Sequence, residues 1–509
     1  MNNILKYLES SYSTYPDREA VLDDQKKYTY GEYYHLTRRI GSGLCAYVGQ
    51  RQPVGVYMEK CADAVAVFMG AVWAGGFYSC LNTELPGSRL EQIVSVLSPS
   101  LIVTQQALLE KAQAFFPAQR IVTFEDLERS SEDPEALAER QARACDTDVL
   151  YVNFTSGSTG VPKGIAVGNR SVLDFLDCFV PLFGIDSTDV IANQAPFDFD
   201  VSVKDIYSAL KAGACLAVVP RRLFSLPTQL IDFLCDTGAT TMIWAVSALC
   251  LITGFHALDY RTPEMVKRIL YSGEVMPLKA LKEFRKHLPD VTYVNLYGPT
   301  EITCNCTYYR VDRAYADDKD RDYSAGIPIG KPFPNEDVFL LDGEDRLVTE
   351  PGAEGEICVR GTCLALGYYR NPEQNAAHFV QNPLNPHYPE RIYRTGDLAK
   401  YNELGELVFS GRKDFQIKYM GHRIELEEIE RAMNAIEGVE RACCLFDEKK
   451  SRLRGFYVGT LAKEELHAAM KRDLPVFMVP GILRQVEAMP LTKNGKIDRK
   501  ALAEITGGR

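Results

Sequence analysis

The 509-residue chain has no stretch approaching the roughly 18 uncharged apolar residues of a membrane span, so no transmembrane helix is expected. Its first residues, Met1 to Tyr7, show no basic segment followed by an apolar one, so no secretory signal is expected. Positive charge is not in excess. The net charge of −11 argues against a nucleic-acid or anionic-membrane partner, although a local basic pocket would still suffice for ATP. The 14 cysteines form no C-x-x-C pair, and Cys304/Cys306 and Cys443/Cys444 are too close for ordinary metal-ligand spacing. The thiols are therefore expected to be reduced in a cytoplasm, most of them as small core residues. Internal repeats are absent.

The composition is that of a globular protein, 46% apolar and 25% charged, and the length exceeds what one hydrophobic core fills. Short apolar runs recur at Pro53–Tyr57, Leu101–Val103, Val190–Ala192, Cys215–Val219, Thr241–Trp244 and Val291–Asn295. Helical patterns lie between them, as at Ala62–Ala74 and Leu278–His287. That alternation predicts an α/β architecture of layered, largely parallel sheets. The charged stretches Glu125–Asp148 and Asp312–Arg321 read as solvated helix and loop. After Arg412 the pattern changes. Ile424, Leu426, Ile429, Met433 and Ile436 suit an amphipathic helix over Glu425–Ile436, with Gly438 placed to end it and a strand at Ala442–Phe446.

The most informative segment is Ser156-Gly157-Ser158-Thr159-Gly160-Val161-Pro162-Lys163-Gly164, which follows an apolar strand, Val149–Phe154. Glycines let backbone N–H groups turn toward an anion; hydroxyls and one lysine add donors and charge. This is a phosphate grip. Pro162 stands where a Walker A loop needs glycine, and Ile165-Ala166-Val167 reads as strand where that loop would open a helix.

Together with this loop, other segments resemble, in order, the motifs of the adenylate-forming superfamily: acyl-CoA synthetases, luciferases and the adenylation domains of nonribosomal peptide synthetases. They are Asn295-Leu-Tyr-Gly-Pro-Thr-Glu301, Gly355–Gly361 with Leu366-Gly-Tyr-Tyr369, Tyr393–Asp397, Gly411–Asp414, Gly421–Glu425 and Asn494-Gly-Lys496-Ile-Asp-Arg499. Ala74–Tyr78 extends the likeness toward the start. The resemblance implies an N-terminal core over residues 1–412 and a small, mobile α+β domain over 413–509, hinged at Asp414. The sequence stops ten residues after Arg499, and a carrier protein is expected as a separate chain.

The resemblance also implies roles. Thr155, Ser156, Gly157, Ser158, Thr159, Gly160 and Lys163 would hold the β- and γ-phosphates of ATP. Thr300 would reach the α-phosphate and Glu301 would hold Mg²⁺, a hard cation that prefers oxygen. Tyr297, with Asn295 and Gly298, would frame adenine; a core tyrosine at a strand end is the plainer reading. Asp397 would accept the ribose hydroxyls with Arg412 in support. Lys496 would bridge the acyl carboxylate and the α-phosphate. The Gly421 segment would line a tunnel for a phosphopantetheine thiol.

Phe199–Lys204 resembles the substrate-pocket motif of amino-acid-activating members. Asp200 falls where a carboxylate pairs with the substrate α-ammonium, which disfavours acyl-CoA synthetases for non-amino acids. Asp200 is equally placed to cap a helix starting near Val201. The pocket carried across is Val201, Lys204, Ser247, Leu270, Ser272, Leu296, Cys304 and Asn305, with Lys496. Lys204 is the unusual member: a glutamate or aspartate substrate would pair with it, as would Asp205 or Glu274, or it could reach solvent. The chain departs from the family pattern at Asn169, where histidine is usual, and at Asn82, where aspartate is common. Stand-alone D-alanine–carrier ligases, an alternative, have cysteine where this chain has Ser272.

Overall fold

The computed structural model describes residues 3–156, 161–311, 323, 326–491 and 497–505. The strand Val149–Thr155 and its successor Lys163–Gly168 stand where the sequence predicts them, flanking the phosphate-loop segment. Gly157, Ser158, Thr159, Gly160, Lys496 and the charged stretch at 312–321 lie outside the described residues.

Among the described residues, fifteen strands build two large sheets. They are β1 (Glu19–Leu22), β2 (Lys27–Thr29), β3 (Pro53–Tyr57), β4 (Phe77–Cys80), β5 (Leu101–Thr104), β6 (Ile121–Thr123), β7 (Val149–Thr155), β8 (Lys163–Gly168), β9 (Val190–Asn193), β10 (Cys215–Val218), β11 (Thr241–Ala245), β12 (Arg268–Ser272), β13 (Thr292–Tyr297), β14 (Thr307–Val311) and β15 (Lys331–Pro332). The larger sheet runs β15-β14-β13-β12-β11-β9-β10-β1-β2, with a parallel centre from β13 to β1 and antiparallel edges. The second runs β8-β7-β4-β3-β5-β6, extended beyond β8 by Gly367–Tyr368. Strands buried on both faces, such as β3, β10 and β12, read as unbroken apolar runs because helices cover both sides.

A third sheet is antiparallel throughout, with Glu336–Leu341, Glu354–Gly361, Arg391–Tyr401 and Leu407–Arg412 as its main strands. It departs from the largely parallel expectation. Its long strand Arg391–Tyr401 alternates buried and half-buried positions, the signature of a sheet with one wetter face.

By contacts the chain divides into two units: Met1–Thr83, Leu97–Asn153 and Gly164–Lys413 form one, and Glu84–Val96, Phe154–Lys163 and Asp414–Arg509 the other. In the second, the strands Val439–Asp447, Arg452–Gly459 and Ile482–Gln485 pack with the helices Leu426–Asn434 and Lys463–Asp473. Ile424, Ile429 and Met433 are fully buried in its core, following the predicted amphipathic spacing. Gly438 does not terminate that helix. The helix closes at Ala435, in right-handed conformation, and Gly438 (φ +90°) instead makes the turn into the next strand.

Candidate active site

The segment Asn295–Glu301 runs from β13 into a short 3-10 turn, Thr300–Ile302. Thr303 and Cys304 then adopt positive φ (58° and 76°), uncommon for side-chain-bearing residues, and fold the chain back. The reversal is tight: a Cβ at Gly298 would fall 2.5 Å from the Asn305 Cα, so only glycine fits. One loop thus brings Tyr297, Glu301, Cys304 and Asn305 close together.

Tyr297 is buried, and its hydroxyl donates to Asp397 Oδ2 at 2.5 Å. Arg412 forms an ion pair with Asp397 Oδ1, supported by the register that sets Asp397 opposite Arg412 across two antiparallel strands. Burial and the facing carboxylate push the Tyr297 hydroxyl well above its ordinary pKa, so it stays a donor. Tyr297 is thus a core tyrosine at a strand end, tied to Asp397. Asn295 donates its side-chain amide to Pro328 O at 2.9 Å.

Glu301 is buried, and Oε1 accepts the Tyr368 hydroxyl at 2.8 Å. Tyr368 in turn meets the Tyr393 hydroxyl at 3.3 Å. The buried Glu301 carboxylate and the hydroxyl of the preceding Thr300 are oxygen donors of the kind that Mg²⁺ takes, so the residue types fit that ion. In the second unit, Ser156 Oγ donates to Arg423 O at 2.7 Å, and Lys163 is half-buried. Asp414 is exposed and accepts from Gln416 N.

Of the residues predicted for the acyl pocket, several lie on one face of the larger sheet. Leu270 and Ser272, two residues apart, share one face of β12, and Leu270 pairs with Val294, which puts Leu296 on the same face of β13. Leu270, Leu296 and Cys304 belong to one apolar cluster; Ser272 and Asn305 are buried, while Val201 and Ser247 are half-buried. The helix Val201–Ala212 carries Lys204 and Asp205 inward. Asp200 precedes it in right-handed conformation and makes no side-chain cap to the helix, so capping does not explain this carboxylate. Its backbone oxygen accepts from the Cys304 thiol.

Lys204 is fully buried, which removes the route to solvent. Its ammonium donates to Asn305 Oδ1 at 2.6 Å, and among the described residues no carboxylate oxygen lies within 4.0 Å of it. Neither Asp205 nor Glu274 pairs with it. Burial lowers its pKa, opposed by Cys304, Asp200 and Asp205. Asp205 accepts from Asn193 Nδ2 at 2.6 Å, and its other oxygen has no hydrogen-bond partner. Burial pushes this carboxyl up to about 8, against the pull of Asn193 and the two lysines Lys204 and Lys60.

The departures at Asn82 and Asn169 have local reasons. Asn82 Nδ2 donates to Asp198 Oδ2 at 3.1 Å, where an aspartate would set two carboxylates together. Asn169 is buried, accepting from Ile4 N and donating to Asp148 O. Sequence reasoning gave no role to Asn193 or Tyr151, nor to Tyr368 within the Leu366–Tyr369 motif. Tyr151 is a fully buried tyrosine whose hydroxyl lies near Cys304 and Asp200. A strand-end asparagine is a usable signal; an apolar-run tyrosine is not.

A family model described as "AMP-binding enzyme" matches residues 8–369. The chain belongs to that family of the adenylate-forming superfamily. Within it, the chain is close to the adenylation domains of nonribosomal peptide synthetases. It is 31% identical to zwittermicin A synthase ZmaJ of Bacillus cereus over 98% of this chain and 94% of that protein. It is also 32% identical to tyrocidine synthase 3 of Brevibacillus parabrevis over 99% of this chain, but it spans only 8% of that protein's length. Among solved structures, holo-PA1221 contains adenylation and PCP domains and is bound to a vinylsulfonamide inhibitor. It aligns at a TM-score of 0.82 and 26% identity, covering 98% of this chain and 84% of that one. The four-domain synthetase holo-AB3403, bound to AMP and glycine, aligns at 0.70 and 26%, covering 99% and 36%. No described helix is long and apolar enough to cross a membrane.

Proposed function

We propose that the chain activates an amino acid with ATP and loads it onto a carrier protein. The substrate carboxylate oxygen attacks the α-phosphorus of ATP. The bond to the β-phosphate's bridging oxygen breaks, giving aminoacyl-AMP and pyrophosphate. The carrier's phosphopantetheine thiol then attacks the acyl carbon, loses its proton and forms a thioester as AMP leaves.

In this reading Asp397, backed by Arg412 and Tyr297, holds the ribose, and Thr300 orients the α-phosphate. Residues Thr155 to Lys163 grip the outgoing pyrophosphate, and Lys496 bridges the two reacting anions. Glu301 and Thr300 would hold Mg²⁺, which when bound neutralises phosphate charge. Asp414 is the pivot on which residues 414–509 turn between the two half-reactions. The AMP and glycine in holo-AB3403 and the adenylation and PCP domains of holo-PA1221 support both steps.

The observation that carries the substrate reading is the pair Asp200 and Lys204. Asp200 is buried without capping its helix, which suits an α-ammonium partner. Lys204 is a buried ammonium bonded only to an amide oxygen among the described residues, which suits a substrate side-chain carboxylate. Glutamate or aspartate meets both demands. D-alanine would leave Lys204 without a counter-charge. The test is ATP–pyrophosphate exchange scanned over amino acids of both chiralities. Exchange stimulated above all by glutamate or aspartate is expected. If no amino acid stimulates exchange, the amino-acid reading fails.

A further inference from the structure

Lys60 follows β3 and immediately precedes Cys61, the residue before the helix Ala62–Trp73. No motif draws attention to it. Its ammonium donates to three backbone carbonyls: Asn193 O at 2.9 Å, Gln194 O at 2.8 Å and Val219 O at 3.0 Å. A lysine ammonium has three N–H donors, and all three are used, so Lys60 has nothing left to offer a ligand. It fastens together the ends of two adjacent parallel strands, β9 and β10.

What those carbonyls belong to gives the clamp its consequence. Asn193 donates its side-chain amide to Asp205, the neighbour of Lys204 on the pocket helix. Gln194 Oε1 accepts from Ala245 N at 3.1 Å, at the start of the helix that carries Ser247. The segment after Gln194 passes through Phe197, whose ring centroid lies 5.9 Å from the Lys60 ammonium, and ends at Asp200. Three routes thus lead from Lys60 to three parts of the acyl pocket. None leads to Tyr297, Asp397 or Arg412.

We propose that Lys60 is a positioning residue for the acyl pocket, holding the β9 and β10 strand ends so that Asp200, Lys204 and Ser247 keep their places. The proposal rests on the reading of that pocket as the amino-acid site. The acid that best supports exchange in the wild type is the probe.

Lys60→Met should raise the KM for that acid about tenfold or more, the scale of one lost charged hydrogen bond, while the KM for ATP stays unchanged. Lys60→Arg keeps charge and donors and should recover most of the loss. Gln194→Ala cuts the same route one step later. It should show the same selective rise, and the Lys60→Met/Gln194→Ala double variant should cost less than the sum of the two. Should Lys60→Met fail to fold, Lys60→Arg and Gln194→Ala decide: a KM for the acid unchanged in both overturns the proposal. Equal increases for acid and ATP in the folded variants also overturn it, since they indicate general loosening. A wild type without exchange on any acid instead overturns the functional reading beneath it.

Discussion

Replacing Lys204 by methionine separates binding from folding, because the two should move in opposite directions. The ammonium is fully buried, with one hydrogen bond of 2.6 Å to an amide oxygen and no carboxylate within 4.0 Å among the described residues. Such a charge burdens the free protein. A glutamate side chain would supply the missing partner. Truncating one member of a buried charge pair costs about 2–5 kcal/mol, which corresponds to roughly 30-fold to several-thousand-fold in kcat/KM. Glutamine keeps a carbonyl acceptor and should lose about 1 kcal/mol, or roughly fivefold. Alanine reaches no further than Asp200 and should lose nothing.

Stability should respond with the other sign. Burial depresses the folded pKa of Lys204 below its ordinary value. The unfolded chain therefore binds the extra proton in the window between the depressed value and the ordinary one. Wild-type stability gains from this group as pH rises through that window, and the burden is fully present below it. Lys204→Met removes the burden and should raise the Tm near neutral pH. The assay is pyrophosphate exchange with glutamate, aspartate, glutamine and alanine in both proteins, beside thermal melts at several pH values. A wild type that prefers alanine, or a variant with glutamate kcat/KM intact, refutes the acidic-substrate reasoning. The adenylation reading would survive either result.

Lys496→Ala should cut adenylation by about 10²–10³, the scale of one preorganised donor. Thioester formation from supplied aminoacyl-adenylate should suffer far less, and equal loss in both half-reactions would contradict the hinge at Asp414. Asp200→Asn should abolish activity on α-amino acids at a cost of about 3–5 kcal/mol; a collapsed Tm would instead give the carboxylate a structural role. Asp205 has its folded pKa raised to about 8, so its contribution is present below its ordinary carboxylate value and lost as pH rises toward 8. Asp205→Asn should flatten that decline in urea melts between about pH 4 and 8. Ile429→Ala, at a fully buried position, should destabilise the second unit by about 2–5 kcal/mol in chemical denaturation.

The strands that flank the Ser156–Gly164 segment were legible because their signals are local. Pro162 and the strand-like Ile165-Ala166-Val167 were enough to separate this loop from a Walker A loop, and Lys163–Gly168 is indeed a strand. The parallel strands were equally readable, since burial on both faces leaves an unbroken apolar run. The antiparallel sheet was harder: strands such as Arg391–Tyr401 mix charged and apolar residues, and their pairing depends on partners far along the chain. Gly438 shows the limit of capping signals. A glycine three residues past a helix makes a turn as readily as a cap.

The acyl pocket shows where sequence reasoning stops for a physical reason. The position of Lys204 was readable, yet whether it pairs, snorkels or waits depends on Asn305, 101 residues away, and on a reversal at Thr303 and Cys304 that no propensity predicts. The sequence left Asp205 open as the partner because it is adjacent. Adjacent residues on a helix point about 100° apart, however, and Asp205 turns to Asn193. That choice leaves two buried groups of opposite nominal charge side by side without neutralising each other. Burial raises the Asp205 carboxyl toward its protonated form, and its hydrogen bond goes to Asn193 rather than to Lys204. On the proposed reading, the substrate side chain supplies the partner that Asp205, turned to Asn193, does not give Lys204, and Asn193 then bears on selectivity through Asp205.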